Sequence, residues 1–151
     1  MNKKLNKNLT SAEVCSIEKL KCNILGNSLE HYRDLGDYKN ILIIKSMNPK
    51  YIRLTLYPIK RDNITKVTII DNKNSEIKIQ KIMNSFKEYE IIHTSGLTYK
   101  SNKIIYECYF NLDMFDFKDK ELSNFKKLIN NINKKLKDII VEEISISKDQ
   151  Y

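Results

Sequence analysis

The chain has 151 residues, 41% of them apolar, and a formal charge of +8 from 27 Lys and Arg against 19 Asp and Glu. That is enough apolar material for one ordinary core, which excludes a disordered chain, and no apolar run approaches the ~18 residues of a membrane-spanning helix. The cysteines Cys15, Cys22 and Cys108 lack C-x-x-C spacing, and with only His31 and His93 beside them they form no zinc framework.

Lysine supplies nearly all of the positive charge, 24 residues against 3 Arg, alongside 23 Ile and 17 Asn. An AT-rich coding sequence favours those three residue types, which weakens the charge as a sign of nucleic-acid binding. Scarce arginine points the same way, because bidentate and stacking contacts to bases favour arginine. MNKKLNKNLTSAEV is basic but has no apolar signal-peptide core, so the expectation is a cytoplasmic protein that does not enter a membrane.

Residues 1 to 9 are expected to be disordered, with no internal domain boundary after them. Thr10-Ser11-Ala12-Glu13 fits a capping box. Val14, Ile17, Leu20, Ile24 and Leu25 then give a helical stripe closed by Gly26. SLEHYRDLGDY reads as a short helical or irregular piece. NILIIKSM (40 to 47), YIRLTLYPI (51 to 59) and ITKVTIID (64 to 71) read as strands, joined by connections short enough for antiparallel hairpins. A helix follows over about 75 to 87, with Ile79, Ile82, Met83 and Phe86 on one face.

EIIHTSGLTY (90 to 99) and NKIIYECYFNL (102 to 112) read as a hairpin turning at Ser101-Asn102. That turn sets 99 opposite 104, 97 opposite 106, 95 opposite 108, 93 opposite 110 and 91 opposite 112. One face then carries Ile91, Leu97, Tyr99, Ile104, Tyr106, Cys108, Phe110 and Leu112, an apolar set that supports the register. In the last helix Leu122, Phe125, Ile129, Ile132 and Leu136 repeat at helical spacing, with acids opening it and lysines closing it. DIIVEEISIS (138 to 147) is the final strand.

From residue 64 the order is strand, helix, strand, strand, helix, strand, which is the ferredoxin-like βαββαβ order. The expected fold is α+β: a ferredoxin-like core over 64 to 147 with two helices on one face, and an N-terminal helix and extra antiparallel strands over 10 to 63.

Few residues suggest chemistry. His93 and Cys108 fall on one predicted face, as a thiolate-forming pair would, but buried core positions explain both. Glu142 and Glu143 point to opposite faces of a strand and cannot share a proton. Asp113, Asp116 and Asp119 lack calcium-loop spacing and fit the start of a helix. With Gly26, Gly36 and Gly96 the only glycines, no phosphate-cradling loop exists. No catalytic residue, metal or cofactor is expected. Residues 118 to 137 carry seven lysines against two acids, and Lys120, Lys126, Lys127, Lys134 and Lys137 form a candidate phosphate-tracking stripe on the last helix. A solvated helix face in a lysine-rich chain is the simpler account of them.

VTIID followed by Asn72-Lys73-Asn74-Ser75 and Glu76-Ile77, together with the exit NKKLKDIIVEEISI, resembles an ACT domain over residues 64 to 147. The position where that family commonly has Pro-Gly reads Asn74-Ser75. The resemblance implies a non-enzymatic regulatory or interaction module, a homodimer formed through sheet edges or helices. It further implies a small metabolite such as an amino acid held near Asp71, Asn72, Asn74 and Ser75. Nucleic-acid binding on the lysine stripe is the alternative function.

Overall fold

The computed structural model describes residues 9–21, 33–114, 116 and 120–146. Among the described residues there are eight strands: β1 (Thr10–Ser16), β2 (Asn40–Asn48), β3 (Tyr51–Ile59), β4 (Asn63–Asn72), β5 (Ile91–Thr94), β6 (Thr98–Lys100), β7 (Lys103–Phe110) and β8 (Asp138–Ser145). The α-helices are α1 (Ile17–Lys21), α2 (Glu76–Phe86) and α3 (Lys120–Asn133), and 3-10 turns cover Arg33–Asp37 and Lys73–Ser75.

The strands form two sheets, ordered β1-β2-β3 and β5-β7-β4-β8, with β6 also on β7. Every ladder is antiparallel. A parallel bridge between Val14 and Ile146 joins the two sheets along one side. The result is a mixed α/β fold with antiparallel sheets.

Three layers follow from how the residues alternate. On β4, Val67 and Ile69 point to one face, where they meet Ile79, Ile82 and Phe86 of α2 and Phe125, Ile129 and Ile132 of α3. Aromatic edges lock this core: Phe110 lies 5.0 Å from Phe86 and 4.9 Å from Phe125, both edge-on. On the other face Ile64 and Tyr109 meet Val14, Leu42, Ile44 and Ile59 of the first sheet. β4 and β7 are therefore covered on both sides, and β7 is buried continuously from Ile104 to Phe110.

The predicted helix at Thr10 is corrected. Residues 10 to 16 are a strand paired with β2, Val14 opposite Leu42. Thr10 and Val14 are buried while Ser11 and Glu13 are exposed, a two-residue period that coincides with the helical stripe at Val14. The apolar face of β2 decides between them, and helix begins only at Ile17. Thr10 does not cap a helix; its hydroxyl meets Glu107. Residues 22 to 32, with the expected Ile24, Leu25 and Gly26, lie outside the described residues, as do residues 1 to 8.

The 90 to 99 strand is also corrected, since β5 and β6 are separate pieces divided at Ser95–Leu97. The Ser101-Asn102 turn sits as expected, with φ of 48° and 64°, and Tyr99 faces Ile104. Beyond Gly96, at φ +70°, the register slips. His93 faces Tyr109 rather than residue 110, and a further shift sets Ile91 opposite Phe110 rather than residue 112. Ile91, Leu97, Ile104, Tyr106, Cys108, Phe110 and Leu112 still reach the helix-side core; Tyr99, at the hairpin end, stays 46% exposed.

Candidate functional site

The 71 to 76 connection runs from β4 through the 3-10 turn Lys73–Ser75 into α2. The Asp71 carboxylate is buried and accepts a 2.7 Å hydrogen bond from the Asn72 backbone N–H. Ser75 occupies the N-cap position of α2, is buried, and makes no side-chain capping bond. Asn72 and Asn74 are exposed. Of the four residues, only Asn74 lines the open depression there, with Lys73, Glu76 and Tyr99. The Tyr99 hydroxyl is bonded to Glu76, which raises its pKa, and the Lys73 ammonium lies over its ring.

Cys108 and His93 lie on opposite faces of the sheet, because the register slip turns His93 away from the helix-side core. Cys108 is fully buried there, and burial pushes its thiol up to about 12. The two side chains are therefore not paired, and Cys108 sits in the core as expected. Glu142 and Glu143 do face opposite ways: Glu142 lies 3.7 Å from Lys66, and Glu143 accepts the Met114 N–H. Burial raises the Glu143 pKa. Asp113 accepts from the Asn63 amide and Asp116 lies 3.9 Å from Arg61; Asp119 is outside the described residues. Among the described residues no group of three or more His, Cys, Asp or Glu could hold a metal ion.

Lys120, Lys127, Lys134 and Lys137 are exposed, whereas the Lys126 ammonium donates to the Met114 carbonyl. These lysines do not line the groove between α2 and α3, a space of about 490 Å³ floored by Ile82, Leu128, Ile132 and Leu136 and rimmed by Lys78, Lys81 and Lys135.

The dominant polar feature lies between the sheets. Glu107 is 0% and Lys66 3% exposed. The Lys66 ammonium lies 3.1 Å from Glu107 Oε1 and donates to the Thr10 carbonyl at 3.1 Å. Glu107 Oε1 also accepts the Leu9 N–H, and Oε2 accepts the Thr10 N–H and hydroxyl. Four donors thus fill the roughly four acceptor positions of a carboxylate. The Tyr109 hydroxyl extends the chain to Thr10 at 2.6 Å, and its ring lies 5.6 Å from the Lys66 ammonium. The network fixes the start of β1 onto the second sheet.

Beside it the two sheets part into a cleft of about 330 Å³. Arg53, Thr55 and Ser46 come from the first sheet, His93, Thr94 and Ser95 from the second, and no carboxylate is among its lining residues. The His93 ring is held by a 2.7 Å hydrogen bond between Nδ1 and the Tyr57 hydroxyl, and by an edge-on contact with Tyr109. Burial lowers its pKa below 6.5, with Glu107 opposing, so the imidazole is neutral at pH 7. Ser95 Oγ accepts the Glu107 N–H and donates to the Gly96 carbonyl. The serine is therefore committed to the backbone and is not poised as a nucleophile. The arrangement can hold an anionic polar molecule.

No protein-family model, curated protein or solved structure matches the chain. The chemistry must be read from the cleft itself.

Sequence reasoning missed both the ion pair and the cleft. A signal for the pair was present: ITKVTII and IIYECYF are apolar strand runs, each interrupted by one charge, and the charges are opposite. No local signal marks the cleft, because its walls come from strands 40 residues apart in the sequence, Arg53 and His93.

Proposed function

We propose that the protein is a non-enzymatic binding module that holds a small anionic metabolite, of amino-acid size, in the cleft between its two sheets. The observation that carries this reading is the composition of that cleft: the Arg53 side chain with hydroxyls and a neutral imidazole, and no lining carboxylate. Its volume, about 330 Å³, falls at the small end of the ~300–1,000 Å³ of ligand pockets. The order β8-β4-β7-β5, with α2 and α3 on one face, supports a ferredoxin-like reading of residues 64 to 147. An ACT-like regulatory role accords with that topology, with the ligand moved from residues 71 to 75 into the cleft.

A thermal-shift panel of amino acids, nucleotides and small carboxylates tests it. One carboxylate at about a hundred times its Kd should add ~2.7 kcal/mol, a rise of roughly 5–10 °C for a chain of this size. The shift should vanish in Arg53→Gln and persist in Asn74→Ala. The reverse result returns the ligand to the 71 to 75 turn, and a flat panel rejects both placements.

One observation favours nucleic-acid binding as a second reading: the fold sets Lys78 and Lys81 of α2 across a groove from Lys135, just past the end of α3. That reading requires single-stranded DNA affinity to fall with salt at a log–log slope of about −2, from three lysines at ~0.7 each.

A further inference from the structure

The first sheet ends in an open strand. Its order leaves β3 laddered to β2 alone among the described residues. Natural edge strands are usually blunted by lysines, prolines or bulges, because their vacant N–H and C=O groups template another chain. Here nine residues carry a single charge, Arg53, and the one proline, Pro58, sits next to the far end.

The two faces of β3 differ. Arg53, Thr55 and Tyr57 look inward, to the cleft and His93. Ile52 and Leu54 look outward, opposite Met47 and Lys45 of β2. Ile52, Leu54 and Met47 are 57%, 49% and 72% exposed, an apolar stripe running beside the vacant ladder.

Charge selects the occupant. Residues 38 to 61 contain Lys39, Lys45, Lys50, Arg53, Lys60 and Arg61 and no Asp or Glu. Two copies brought edge to edge would set like charges together, which opposes pairing, whereas an acidic chain is drawn in. Lys50 and Lys60 stand just beyond the two ends of β3, placed to hold acids flanking a docked strand. Aliphatic side chains beside a free ladder suit a peptide strand better than a phosphate backbone.

We propose that the β3 edge is a docking site for an extended acidic segment of a partner protein, which adds a fourth strand to the first sheet. Its alternating apolar side chains cover Ile52 and Leu54, and its acids run beside Arg53 and reach Lys50 and Lys60. The site shares Arg53 and Met47 with the cleft, but Ile52 and Leu54 do not line the cleft, so a change at Leu54 tests the edge alone.

The probe is a fluorescein-labelled decapeptide of alternating Glu and Val, followed by anisotropy. Two analogues carry N-methyl groups on alternate residues, each blocking one ladder edge while keeping every charge. The parent should bind and weaken with salt. One analogue, and the Leu54→Asp variant, should each lose about tenfold or more in affinity. Amide hydrogen exchange should slow within residues 51 to 57 on binding. The proposal is overturned if the parent does not bind, or if neither analogue is weakened. It is also overturned if oligo-dT displaces the peptide, or if the protein sediments as a dimer that Leu54→Asp dissociates.

Discussion

Removing one member of the buried Lys66–Glu107 pair should be among the most damaging single changes in the protein. Glu107→Gln keeps the shape of the side chain. One oxygen becomes an NH2 group, and each Glu107 oxygen faces two donors. Whichever way the amide turns, two donors lose their acceptor. At ~1–3 kcal/mol for each buried orphan the cost is about 2–6 kcal/mol, in line with the ~3–5 kcal/mol measured for breaking buried ion pairs elsewhere. Lys66→Met should cost a similar amount by leaving the carboxylate unpaired. A domain has only ~5–15 kcal/mol to lose. The double variant should be less unstable than the sum of the singles by ~1–3 kcal/mol, since it no longer buries a lone charge. Urea unfolding followed by far-UV circular dichroism measures all three, the chain having no tryptophan to report. Singles that cost less than about 1 kcal/mol, or strict additivity, would refute the reasoning.

Two further outcomes follow from the hairpin around β7. Burial holds His93 below its ordinary 6.5, so the unfolded chain binds the proton more readily and stability falls as pH drops through and below that value. The stability difference between wild type and His93→Gln should therefore shrink in urea titrations from about pH 7.5 to about pH 5, and a pH-independent difference counts against it. Ser101 and Asn102 both hold positive φ, so Ser101→Asn with Asn102→Gly, the preferred pair for such a turn, should stabilise by about 0.5 kcal/mol. A lower urea midpoint contradicts that turn geometry.

Much of the fold is legible locally because its elements are strongly patterned. The β3 bounds, the faces of α2 and α3 and the Ser101-Asn102 turn all follow from side-chain period and turn chemistry. The failures share one cause: the deciding partner lies far away in sequence. Thr10 to Val14 satisfies a helical spacing and a strand spacing at once, and only the apolar face of β2 chooses. His93 changes face through a register slip that nothing in IIHTSG announces. Asp71 and Ser75 are drawn into the turn and Asn72 and Asn74 face outward, while the walled cleft takes its residues from both sheets.

The two cores are unequal. Among the described residues, the cluster beneath the helices holds fourteen buried side chains and the one between the sheets six. Local opening proceeds through the contacts that cost least to break. The first sheet, with a further cluster of Ile17, Ile41 and Ile43 on its outer face, is therefore expected to part from β4 and β7 before global unfolding. The cleft lies along that line of parting. A ligand bridging Arg53 and His93 would act as a rivet across it, drawing part of its binding free energy from the opening it prevents, and occupancy would be visible as slowed exchange throughout β1 to β3.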